Sequence, residues 1–178
     1  AGLEDYWRMM MSSPLCAGGF IWAFTDDAVK RPDTGQLDTS GNQAPDGIVG
    51  PYREREGSFY TIKELWSPIA VTPDAKGALQ VQNHYSFTDA NQCRLTWQLR
   101  RFTTPAEMKA GFSLIAEGEA KVPSIAPGAS GPLTFALPTN WPSADVLAIR
   151  ANDPAGRELW TWSWPMAAAK RFTRLTES

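Results

Sequence analysis

The chain has 178 residues, 43% hydrophobic and 11% aromatic, with eight Trp, fourteen Pro and fourteen Gly, a folded and turn-rich composition rather than a disordered one. Its 17 Lys and Arg against 19 Asp and Glu give a net charge of -2, with no basic stripe to follow a phosphate backbone, so nucleic acid is excluded as an expected partner. No apolar run approaches the ~20 residues of a membrane-crossing helix, so no membrane partner is expected. The length allows one sandwich-sized domain of about 100 residues plus something smaller. Cys16 and Cys93 are too few and too far apart for a disulfide framework. Two buried free thiols are expected, with a single bridge left open.

The first element is a helix. Leu3, Trp7, Met10 and Met11 fall at i, i+4, i+7 and i+8 on one face, Glu4 and Asp5 stand in the first turn where the helix dipole favours anions, and Ser12-Ser13-Pro14 ends it. From Cys16 to Phe24 the run is apolar on both parities, which predicts a strand covered on both faces beside a parallel neighbour. Residues 25–57 have no sustained period and are rich in Asp, Gly, Pro and Thr, so they read as one long functional loop. Ser58 is the expected cap of a second helix, with Phe59, Ile62, Leu65 and Trp66 as its buried stripe and Pro68 beyond its end.

After Pro68 the period changes from 3.6 to 2. Leu79, Val81, Tyr85 and Phe87 alternate with Gln80, Gln82, His84 and Ser86; Leu95, Trp97 and Leu99 alternate with Arg94, Thr96, Gln98 and Arg100. Thr88-Asp89-Ala90-Asn91 is the turn between them. Further strands are expected at Phe112–Glu119, Leu133–Leu137, Val146–Ala151 and Leu159–Trp164. About seven short strands at this spacing suggest an antiparallel β-sandwich.

Three segments carry a resemblance: Gly18-Gly19-Phe20-Ile21-Trp22-Ala23-Phe24-Thr25-Asp26-Asp27, Ala44-Pro45-Asp46-Gly47-Ile48-Val49-Gly50-Pro51 and Ser58-Phe59-Tyr60-Thr61-Ile62-Lys63-Glu64-Leu65-Trp66-Ser67-Pro68. Together they resemble the last strand-loop-helix unit of the catalytic barrel of glycoside hydrolase family 2, the family of β-galactosidases, β-glucuronidases and β-mannosidases, and most closely its β-galactosidase branch. The segment Asn83 to Trp97, with Tyr85, Phe87, Asn91, Gln92 and Cys93, is similar to the sandwich that follows that barrel. The resemblance implies a (β/α)8 barrel fragment over residues 1–68, then an immunoglobulin-like β-sandwich with a C-terminal tail over 69–178, predominantly β in all. It also implies a carbohydrate substrate, and an upstream part of the parent enzyme that holds both catalytic glutamates. No catalytic residue is then expected in this chain, no metal ligand is assigned, no cofactor is specified, and a homo-oligomer is left open.

His84 is the sole histidine, so neither a Ser-His-Asp triad nor a multi-histidine zinc site can be assembled, and its polar strand parity reads as surface. Glu4 reads as a first-turn helix residue. Adjacent Asp26 and Asp27 would point in opposite directions, poor geometry for the two facing carboxyls of a glycosidase. Trp22 is a substrate-binding candidate: an indole at a strand's end can stack on the apolar face of a sugar, the family places a platform Trp there, and core packing is the bland alternative. Asp46 is the second candidate. It stands where relatives carry Asn before Gly, and its carboxylate can accept two hydroxyl hydrogen bonds, although Pro45-Asp46-Gly47 is also good turn chemistry. Arg53-Glu54-Arg55-Glu56 reads as surface or interdomain ion pairs. Trp160, Trp162 and Trp164 form a one-face stripe. As core they fill a sandwich; as a glycan platform they support the alternative function, a non-catalytic carbohydrate-binding or interaction sandwich.

Overall fold

A computed structural model describes residues 2–39, 45–75, 77–107 and 111–166. They form two compact units divided between Trp66 and Ser67. Among the described residues strands dominate, three sheets are antiparallel throughout, and there are two α-helices.

In the first unit, α1 spans Leu3–Ser12 with Glu4 and Asp5 in its first turn, as the dipole argument predicts, and Arg8 bonds Glu4 at 2.8 Å one turn back. None of its residues is buried. The predicted two-sided strand at Cys16–Phe24 does not form. The segment joins no ladder, and Phe20 (106%), Trp22 (87%) and Phe24 (63%) stand in solvent while Ile21 packs inward. The physical reason is that a strand buried on both faces needs parallel neighbours and covering helices, and among the described residues the 46–49 segment meets it through backbone hydrogen bonds only at its Ala23–Phe24 end. Cys16 is accordingly exposed rather than buried, whereas Cys93 is buried; both are free.

The expected long loop contains a short hairpin, β1 (Ala28–Lys30) against β2 (Leu37–Thr39). Its turn is closed by Arg31 N–H to Gln36 O (2.8 Å) and Gly35 N–H to Arg31 O (2.9 Å), with Gly35 at φ 71, a conformation glycine adopts without penalty. Helix α2 spans Gly57–Leu65. Its cap is Glu56, which makes no side-chain cap bond, and Ser58 lies inside the first turn instead of capping it. The stripe is partly as expected: Ile62 is buried, Phe59 packs on it, and Trp66 meets Trp7 at 5.4 Å between ring centroids.

The second unit is two sheets around one core. β3 (Ile69–Pro73), β4 (Leu79–Asn83) and β7 (Ser130–Pro132) form a three-stranded sheet in the order β3-β4-β7. β5 (Arg94–Phe102), β6 (Phe112–Ala120), β8 (Val146–Asn152) and β9 (Glu158–Pro165) form a four-stranded sheet in the order β6-β5-β8-β9. Ile69, Val71 and Val81 from the first sheet and Leu95, Leu99, Ile149 and Ala151 from the second are almost fully enclosed in a single cluster, the arrangement of a β-sandwich. In β5 the alternation works as read: Leu95, Trp97 and Leu99 face the core while Arg94, Thr96, Gln98 and Arg100 face out. Outward pairs tie β5 to β6, with Arg94 Nε to Glu119 at 2.7 Å and Gln98 to Glu117 at 2.9 Å. At Leu99/Arg100 the register slips by one residue, and the extra residue on β6, Ile115, packs on the core.

Three strand readings need correction. β3 stands before the first strand read from the sequence. β4 stops at Asn83, leaving Phe87 exposed at 97%. Residues 133–137 are not a strand; β7 is Ser130–Pro132, one segment earlier, where Gly131 lets the Ile125 side chain lie on the backbone at 3.0 Å from where a Cβ would stand. The buried Asn83 explains why β4 ends. Its side-chain amide donates to Thr88 O (2.9 Å) and Ile125 O (2.8 Å), and its Oδ1 accepts from Tyr85 N–H (3.0 Å), so the chain turns there rather than continuing the ladder.

Candidate functional site

In the first unit, residues 22–26 lie beside residues 46–50. Ala23 N–H donates to Asp46 O (2.8 Å), Val49 N–H to Phe24 O (3.1 Å) and Asp26 N–H to Val49 O (3.0 Å), giving a parallel bridge between Thr25 and Val49. Val49 is bridged on its other side, antiparallel, to Arg55, and Glu56 N–H donates to Ile48 O (3.2 Å). Ile48 and Val49 are buried with Ile62, and Ile21 and Phe59 pack on them. This small core fixes the two segments against each other.

Both candidate residues sit on this frame. Trp22 precedes a cis peptide bond to Ala23 and presents its indole to solvent. Asp46 is exposed, and its carbonyl takes the Ala23 N–H, so the backbones of the two candidates meet within one hydrogen bond. An exposed indole and an exposed carboxylate carried on neighbouring backbone are groups chemically suited to a sugar: the ring covers C–H bonds and the carboxylate accepts from hydroxyls.

Two contacts that sequence reasoning passed over hold the frame. Asp26 Oδ1 accepts the Gly47 N–H at 2.6 Å. A side chain at Gly47 would overlap the Asp26 backbone nitrogen and the Thr25 carbonyl carbon, so the close approach requires glycine. Arg53, in the left-handed region at φ 69, donates from Nη1 to Thr25 Oγ1 at 2.9 Å. The signal for the first was present: an acidic residue at the end of an apolar run and a glycine after the candidate Asp46. Asp27 is exposed and Glu4 is engaged by Arg8 on α1. Arg55 lies over the Phe59 ring at 4.9 Å, so the side-chain contacts shown for the 53–56 cluster among the described residues include a hydrogen bond and a cation–π contact.

In the second unit, Trp162 and Trp164 pack against the core and their stripe pairs with Ile149 and Leu147 on β8, as sandwich-filling residues do. His84 is exposed. An open cleft of about 550 Å³ lies between residues 91–95 and 119–122, and burial pushes up the thiol of Cys93 in its lining, which disfavours the reactive thiolate. Tyr85 beside it is pushed up to about 12, first by burial and then by the neighbouring Cys93. Among the described residues no group of three or more His, Cys, Asp and Glu could hold a metal ion.

No family model matches the chain. It is similar to curated β-galactosidases: 25% identical over 151 residues to that of Priestia megaterium, covering 76% of this chain and 14% of the relative. It is 30% identical over 94 residues to that of Actinobacillus pleuropneumoniae (48% and 9%), and 25% identical over 190 residues to β-galactosidase 2 of Enterobacter cloacae (94% and 18%). Among solved structures, an exo-chitosanase of Amycolatopsis orientalis aligns with a TM-score of 0.43 at 13% identity, over 67% of this chain and 13% of that one. The chain spans less than a fifth of the length of these relatives. Its sequence similarity is to curated β-galactosidases, over up to 94% of the chain.

Proposed function

We propose that the chain is the C-terminal segment of a retaining β-glycosidase, β-galactosidase-like, that contributes sugar-site residues and scaffold while the catalytic glutamates lie in the upstream part of the parent. Residues 1–68 are then the closing strand-loop-helix unit of a (β/α)8 barrel, and 69–178 an immunoglobulin-like sandwich. The observation that carries the reading is the exposed Trp22 joined through Ala23 to Asp46, inside a chain similar to β-galactosidases. The parallel bridge at Thr25 and the open apolar run Phe20–Phe24 support the barrel reading, because both suit a strand awaiting parallel neighbours. The packing of Trp162 and Trp164 on the sandwich core favours this reading over the alternative, a non-catalytic carbohydrate-binding or interaction sandwich.

In the parent, Trp22 stacks on the sugar and Asp46 accepts from its hydroxyls, binding that orients the anomeric carbon between carboxyls supplied elsewhere. The test is Trp22→Ala in the parent enzyme. Removing one stacking surface should lower kcat/KM by about 5- to 150-fold, the equivalent of about 1 to 3 kcal/mol, by analogy with a base stacked on an aromatic side chain. Thermal stability should move less than activity. Normal kinetics from a folded but destabilised variant would make Trp22 a packing residue and sink the platform.

A further inference from the structure

We propose that Asp26 is a positioning residue for the sugar site, its carboxylate holding the Asp46 loop against the Trp22 segment; this rests on the glycosidase reading above. Three observations converge. The Asp26 side chain, half-buried at the end of the 22–26 segment, accepts the N–H of Gly47 at 2.6 Å, a charge-assisted hydrogen bond to the residue directly after Asp46. Its own backbone N–H is taken by Val49 O at 3.0 Å, so the carboxylate is aimed by a frame that cannot swing. Gly47 is buried with no room for a Cβ, which lets the two backbones approach closely enough for the carboxylate to reach it.

The pairing is a short clamp with two ends. At one end Ala23 N–H to Asp46 O (2.8 Å) fixes the Asp46 carbonyl beside the residue after Trp22. At the other, Asp26 to Gly47 fixes the far side of the same peptide unit. With both ends in place the Asp46 side chain has only its own torsions to explore. With Asp26 cut away the Asp46–Gly47 peptide hangs from one bond, and Asp46 loses its fixed distance from the indole. Asp27, next in the chain but exposed, has no such role.

Two measurements test this separately from the sugar-site reading. In the 178-residue chain, amide exchange at Gly47 should quicken roughly ten- to a hundredfold in Asp26→Ala, the range expected for losing a hydrogen bond to a charged acceptor. Asp26→Asn keeps an acceptor oxygen and should restore part of that protection. Unchanged Gly47 exchange in the alanine variant, with the Ile62 amide still protected as a sign of folding, overturns the clamp. In the parent enzyme, Asp26→Ala should lower kcat/KM by up to about a hundredfold, the scale of a site group misplaced by an ångström. Asp26→Asn should recover most of it and Asp27→Ala should leave it unchanged. Equal losses for the asparagine and alanine variants, with Gly47 protection restored in the asparagine variant, would show that charge at Asp26 and not the held loop matters, and would overturn the proposal. If Trp22→Ala leaves kcat/KM intact while Gly47 exchange responds to Asp26, the clamp stands and the sugar-site reading falls.

Discussion

The two units treat the same kind of residue in opposite ways. Beyond Ser67, large apolar side chains turn inward from two sheets, and Ile69, Val81, Leu99 and Ile149 have essentially no exposure. Before Trp66, three residues make the buried core, while Leu15, Phe20 and Trp22 lie at 87% exposure or more. Apolar composition does not separate these cases; partner surface does. A sandwich strand finds its partners within its own unit, as β5 finds β6 and β8, but a two-sided strand needs neighbours on every side.

Hydrogen exchange on the intact chain gives the widest expected contrast. Amides of β5 and β8 around Trp97 and Ile149 should exchange only through global unfolding, whereas those of Phe20, Ile21 and Trp22 should open almost freely. Strong, concentration-independent protection at Phe20–Phe24 in a monomer would make the first unit a complete small domain and break the comparison.

Side-chain truncation sharpens it. Leu99→Ala empties a fully enclosed site and should destabilise the chain by about 2 to 5 kcal/mol in urea titrations, against a change within about 0.5 kcal/mol for the exposed Phe20→Ala. A comparable loss at both positions would mean that Phe20 is buried in solution.

Within the sandwich, Asn83→Ala strands the carbonyls of Thr88 and Ile125 and the N–H of Tyr85, and should cost about 1 to 3 kcal/mol by the same titration. A neutral result would show that water replaces the amide at the edge of β4.

The smallest effect is a pH slope. Asp153 holds the β8–β9 turn by accepting from the Arg157 and Ala155 N–H groups and the Arg157 guanidinium, with the Arg157 N–H foremost in keeping its carboxyl below the usual range. Because its folded value is depressed, its contribution is complete above the unfolded value of about 3.9 and is lost as pH falls through the lower folded one. The Tm of Asp153→Asn should therefore fall less steeply than that of the native chain on acidification below about pH 4. Parallel slopes would remove Asp153 from the acid response.

What the sequence made legible follows the same division. β5 was readable because it buries one face inside its own unit, so alternation and burial coincide, and β8 and β9 were readable as apolar and aromatic runs bounded by turn residues. Helix α1 was readable from spacing and its acidic first turn. The hairpin at Ala28–Lys30 escaped because three-residue strands with exposed faces have no period to detect, although Pro32-Asp33-Thr34-Gly35 is turn chemistry. β7 was placed one segment late because Ser130-Gly131-Pro132 has turn propensity, and its strand conformation is imposed by pairing with β4 and by Ile125 above the glycine. At the candidate site, Trp22 and Asp46 could be named from motif alone. Their connection could not, since it runs through the backbone of Ala23 and the carboxylate of Asp26, contacts made across more than twenty residues of chain.

Trp97 lies across β6 where Gly118 has no side chain, its ring carbon Cζ2 2.7 Å from where a Cβ would stand, and it stacks on Phe135 at 5.9 Å. It is the one buried indole of the eight, at 7% exposure. That gives the sandwich a built-in optical reporter. In the folded chain its emission should lie at shorter wavelength and resist acrylamide, beside half-buried indoles such as Trp162 and Trp164 and the exposed Trp22. Loss of that short-wavelength, quench-resistant component then reports the opening of the sandwich core without a label.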